Sequence, residues 1–166
     1  MPRKDKNVPK MPNVSWLTKD GYLDLSKLPI DSTLTQAVSD NEEQFRSACR
    51  VLASMASAGR TEAGVFLYGL LRFCGDNRVK KESVVEALKH VRTRQSAGLL
   101  FEELKKTESS NSTRGYLNAV LKALQGFPLE LVRDGFEALL CDSKWSYKMK
   151  RKFEDILAEM EYRNWR

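Results

Sequence analysis

Histidine is nearly missing from this chain. His90 is the only one in 166 residues. Nucleophilic catalysis by serine or cysteine ordinarily needs a base beside the nucleophile, so a Ser-His or Cys-His site is not expected. Cysteine is scarce too. Cys49, Cys74 and Cys141 are odd in number and show no Cys-x-x-Cys or Cys/His spacing. That argues against a zinc site or a disulfide framework and leaves buried free thiols. No apolar run approaches the roughly 20 residues of a membrane-spanning helix. The charged N-terminus is followed by no apolar core of a secretory signal. A phosphate-cradling loop is also missing, because Gly75-Asp76-Asn77-Arg78-Val79-Lys80 lacks the second glycine of a P-loop. Carboxylates pair only as chain neighbours, at Glu42-Glu43, Glu102-Glu103 and Glu154-Asp155. Adjacent helical positions diverge around the axis, so these read as solvated faces. No catalytic residue, metal or cofactor is expected, and the chain reads as intracellular and cytoplasmic.

What is present suits a folded, soluble domain: 42% hydrophobic and 30% charged residues. The net charge of +6 is unevenly spread. Residues 78–94 carry +4 and residues 143–166 carry +3, whereas residues 95–142 carry −2. A basic balance attracts polyanions.

The chain divides at about residue 40. Pro2, Pro9, Pro12 and Pro29 interrupt any helix in residues 1–40. Residues 1–12 read as a basic, disordered tail. Residues 13–40 read as an extended arm, with room for a short turn of helix, whose Trp16, Leu17, Leu25 and Leu28 lie over a groove of the helical body.

Residues 41–166 read as a helical domain. The first helix spans about Asn41 to Ala58, with Asp40 as N-cap and Phe45, Cys49, Leu52 and Met55 on its inner face. The next, about Thr61 to Cys74, is apolar nearly all round, which predicts burial on every side. Helices follow at about Lys81 to Arg92, Ala97 to Thr107, Gly115 to Gln125 and Pro128 to Leu140. The last covers about Lys144 to Tyr162, with Trp145, Phe153 and Leu157 inward. The fold class is therefore all-α, about seven helices in a short right-handed α-solenoid or a compact bundle.

Two stretches match each other 51 residues apart. Gly64 meets Gly115, Leu70 meets Leu121, Gly75 meets Gly126, and Glu86-Ala87-Leu88 meets Glu137-Ala138-Leu139. The paired segments Gly64-Val65-Phe66-Leu67-Tyr68-Gly69-Leu70-Leu71 and Gly115-Tyr116-Leu117-Asn118-Ala119-Val120-Leu121-Lys122 resemble the HEAT and armadillo families of helical repeats. The resemblance covers about Asn41 to Tyr162. Three helices per unit look more like armadillo, although the spacing exceeds the roughly 40–47 residues of those families. The resemblance implies a stacked helical surface that binds a protein or peptide along one face.

Two functional expectations follow. The first is a non-catalytic adaptor or assembly subunit whose partner is another protein or peptide, with self-association open. If Leu67 and Leu71 are bare, they mark the partner-binding surface. The alternative is a nucleic-acid-associated protein. Lys144, Lys148 and Arg151 fall at i, i+4 and i+7 of the last predicted helix, Lys152 flanks them, and Arg78, Lys80 and Lys81 crowd the turn before another helix. Brought together, they could hold phosphates.

Overall fold

Caps and apolar periodicity set the helix limits. The computed structural model describes residues 14–20 and 22–165. Eight helices follow one another in it: α1 Ile30–Ala37, α2 Glu42–Ser57, α3 Thr61–Phe73, α4 Arg78–Val91, α5 Arg94–Lys106, α6 Arg114–Leu124, α7 Leu129–Cys141 and α8 Tyr147–Asn164. The chain is all-α; the β feature among the described residues is an isolated bridge between Leu17 and Leu23. The expected tail at residues 1–12 lies outside the described residues.

Asn41 caps α2, accepting from the backbone N–H groups of Glu43 and Gln44, two donors that the helix leaves unpaired. The cap was expected one residue earlier, at Asp40. Asn77 caps α4 in the same way. Thr93 and Ser96 cap α5 reciprocally. Gly59, at φ 96°, turns the chain out of α2 in a conformation that side chains resist.

The centre of the molecule is a layer of α2, α4 and α6, lying side by side in that order. Their first residues are 42, 78 and 114, a step of 36 each time. At that step Ala48 matches Val84 and Val120, Cys49 matches Val85 and Leu121, and Leu52 matches Leu88 and Leu124; all nine are buried. A buried leucine is worth about 1.5–3 kcal/mol, so the Leu52–Leu88–Leu124 row alone is a substantial share of the core. α3 packs on α2 and α4, α5 packs on α4, α6 and α7, and α8 packs on α7.

The far end is joined by rings. Phe101 of α5 meets Phe136 of α7 edge-on at 5.3 Å, Phe136 meets Phe153 of α8 at 6.3 Å, and Phe153 meets Trp145 at 5.3 Å. Gly135 allows this approach: a Cβ there would lie 2.2 Å from the Phe101 ring.

Several expectations are corrected. The helices number eight among the described residues, because the expected arm contains α1. That helix packs on α2, burying Ala37 and resting Ile30 and Leu34 on the core, with Leu28 just before it doing the same. The helices in a shared layer are 36 residues apart, not 51. An offset of 51 pairs α3 with α6, whose surroundings differ: Leu67 and Leu71 are buried, while Asn118 and Lys122 are exposed. Nor is α3 enclosed. Val65 is 60% and Phe73 64% exposed, because only one side of the helix has neighbours.

Candidate functional site

The outer side of the α2–α4–α6 layer carries a groove. Its two hollows, of about 400 and 340 Å³, share Arg46, Arg50, Ser83 and Glu86, so they run into each other. Small residues make the floor: Ala53 from α2, Ser83 and Ala87 from α4, Ala119 and Ala123 from α6. Short side chains there let the depression cross three helices without interruption. Longer side chains rise around it: Arg46 and Arg50 from α2, Glu82, Glu86 and Lys89 from α4, Lys122 from α6. None of these six charged groups has an ion pair or side-chain hydrogen bond among the described residues. Their interaction capacity is not spent inside the molecule. The 36-residue step puts Arg50, Glu86 and Lys122 in matching places. That step is the signal in the chain that could have pointed to the groove, and the 51-residue register hid it.

Leu67 and Leu71 do not form a partner surface. They are 0% and 2% exposed, part of the common core. α3 instead shows Val65, Phe66 and Phe73, on the side away from α2 and α4.

The seven basic residues expected to hold phosphates are put to different uses. Arg78, Lys80 and Lys81 lie in the first turn of α4 and not before it. Arg78 Nη1 donates to the Ser112 carbonyl at 2.8 Å. Lys80 Nζ donates to the Ser39 carbonyl at 3.1 Å and stands 5.3 Å from the centre of the Phe45 ring. Lys81 Nζ lies 3.1 Å from Glu103 Oε2, which also accepts from the Tyr116 hydroxyl at 2.7 Å. Lys144 is not helical, because Ser146 caps α8 two residues later. Its Nζ donates to the carbonyls of Lys105 and Thr107 at the C-terminal end of α5, where the helix dipole favours a cation. The expected i, i+4, i+7 stripe thus loses its first member.

Lys148 and Lys152 do come together, with Arg114, which the sequence reading left out. They line a cleft of about 590 Å³ between the Ser109–Ser112 turn and the start of α8. Arg151 is exposed on α8 and has no partner among the described residues.

Buried ionisable groups elsewhere are quiet. Burial, then the nearby Cys74, pushes the Cys49 thiol up to about 12. Burial also raises Cys74. Burial raises the Tyr116 phenol, and its hydrogen bond to Glu103 adds to this, so it stays a donor. All three cysteines are free, and Cys141 is exposed. No group of three or more metal-ligating side chains is gathered among the described residues, and no helix among them is long and apolar enough to cross a membrane.

No protein-family model, no curated protein and no solved structure matches this chain.

Proposed function

We propose that this chain is a non-catalytic protein-binding module, an adaptor or assembly subunit, whose α2–α4–α6 groove receives a segment of a partner protein. The observation that carries this reading is the continuous groove itself, with a small-residue floor and six charged groups unspent inside the molecule. A partner segment with alternating charge could pair Arg46, Arg50, Lys89 and Lys122 while its cations meet Glu82 and Glu86. Charges of both signs would set register and reject wrong partners more than they would add affinity.

The side-by-side stacking of α2, α4 and α6, with α3 and α5 packed against them, supports a short α-solenoid of HEAT or armadillo kind as the architecture. The 36-residue step is shorter than the about 40–47 residues of those families, so the likeness lies in the stacking and not in a motif. An intracellular, cytoplasmic setting goes with this reading, since free thiols persist in reducing compartments.

The test is selection from a displayed peptide library on the full chain. Peptides enriched on it should lose about tenfold or more in affinity to Arg50→Glu, whose charge faces the groove, and to Ser54→Trp, which fills it. A library that yields no binder, or binders indifferent to both changes, sinks the reading.

A further inference from the structure

We infer that the cleft at the start of α8 binds the phosphates of a single-stranded nucleic acid. This goes beyond the groove reading and uses a different surface.

The cleft has about 590 Å³ of space, and Arg114, Lys148 and Lys152 line it with no carboxylate among them. Every other open hollow described above mixes both signs. Two of the three cations are held in place by neutral groups. Arg114 Nη2 donates to Asn111 Oδ1 at 2.6 Å, and Lys152 Nζ donates to Asn118 Oδ1. An amide oxygen orients a cation without cancelling its charge, so both keep their attraction for an anion. Lys148 has no partner among the described residues. Ser110 and Ser146 add hydroxyls to the wall. α6 begins at Arg114 and α8 at Tyr147, so two helix N-termini add partial positive charge at the same place.

The surroundings separate a nucleic acid from a single phosphate. Cationic groups continue along α8 beyond the cleft. Arg151 follows Lys148 by about one turn, which gives a strand successive contacts. Tyr147, next to Lys148, is 81% exposed and makes no hydrogen bond or ring contact among the described residues. A bare aromatic ring beside a cationic track is the pairing that lets unstacked bases lie on a protein while their phosphates are neutralised. A phosphoserine offers one dianion and no flat ring to match Tyr147. A duplex hides the base faces that Tyr147 could stack on.

The experiment is fluorescence anisotropy of a labelled oligouridylate with the full chain. Four phosphate contacts, from the three cleft cations and Arg151, predict a slope of about −3 in log affinity against log salt, hence a loss of about 50-fold between about 50 and about 200 mM. Lys148→Glu and Arg114→Glu should each weaken binding about tenfold or more. Lys148→Gln, the gentler change, should flatten the slope by about 0.7. Tyr147→Ala should weaken the single strand about fivefold or more and leave duplex DNA unaffected. Arg46→Glu, in the groove, should change nothing. The proposal is overturned by an absence of binding at low salt, or by binding untouched in Lys148→Glu and unflattened in Lys148→Gln. It is equally overturned if duplex DNA or a phosphoserine peptide competes as well as the single strand does.

Discussion

The central α2–α4–α6 layer and the far α5–α7–α8 end are built on different cores and offer different surfaces. In the α2–α4–α6 layer the core is mainly aliphatic, with Leu52, Leu88 and Leu124 repeating at one depth and Phe45 and Tyr116 buried beside them. Above it, small residues bring three helices under one shallow groove with charges of both signs. At the α5–α7–α8 end the core is aromatic, held by Phe101, Phe136, Phe153 and Trp145. There the surface is a local cleft whose charged lining residues are all cations. A repeated layer yields an extended site, because each helix adds a similar strip. At the far end the cleft is local, bounded by the Ser109–Ser112 turn, the start of α6 and the start of α8. Mixed charge favours selectivity for a protein segment, whereas single-sign charge favours salt-sensitive affinity for a polyanion.

The largest effect should come from the ring ladder. Phe136→Ala leaves Phe101 and Phe153 without the ring between them and should cost about 3–5 kcal/mol by denaturant unfolding. Hydrogen exchange should speed up in α8 more than in α2 and α4. Equal acceleration in both would break the comparison between the central layer and the far end. Gly135→Ala drives a methyl into the Phe101 ring and should cost about 1–3 kcal/mol, with the same bias toward α8.

Smaller effects sharpen the contrast between tied and free cations. Lys144→Gln removes the cation from the C-terminal carbonyls of α5 and should cost about 0.3–1 kcal/mol. Lys148→Gln, on an exposed side chain without a partner, should stay within about 0.5 kcal/mol of the parent. Equal costs would show that Lys148 is structural. Gly69→Ala, at a helix-interior position with no atom near the added Cβ, should gain about 0.5–1 kcal/mol.

The last prediction concerns the thiols. With Cys49 raised to about 12 and Cys74 raised by burial, both stay protonated and shielded in mildly alkaline buffer, near the pKa of about 8.5 of a free thiol. The sign follows from the thiolate being the reactive form: raising a thiol's pKa lowers its reactivity at any pH below that value. Alkylation of the folded chain should modify Cys141 first, by one group per molecule on a mass spectrum. Rapid modification of Cys49 would show that the aliphatic layer opens.

Much of the fold is legible in the sequence. The helices after residue 41 follow from apolar spacing, and Gly59 and Pro128 mark two of their ends; Asn77 and the Thr93–Ser96 pair, read as breaks, instead cap α4 and α5, which start at Arg78 and Arg94 and not at Lys81 and Ala97. Local rules erred by short distances at Asp40 against Asn41 and at Lys144, where Ser146 defers the start of α8. α1 was obscured by Pro29 and by the scatter of apolar residues before it. Its support comes from α2, with which it has no local pattern in common. Of the candidate sites, the basic residues were visible as types, and the groove was not visible as a place.

What the sequence by itself determined is which side chains seek burial, which groups can cap a helix, and that the chain is helical throughout its body. Those depend on 3.6-residue periodicity and on contacts within a few positions. The tertiary structure alone decided how many neighbours each helix has. It buried Leu67 and Leu71 while leaving Val65 and Phe73 bare on the same apolar helix. It also decided which cations are spent. Lys144 is tied to carbonyls of Lys105 and Thr107, and Lys80 to that of Ser39, all distant in the chain, while Lys148 is left open. A charge reads the same in a sequence whether or not a carbonyl from another helix will meet it, because that meeting is set by packing and not by spacing.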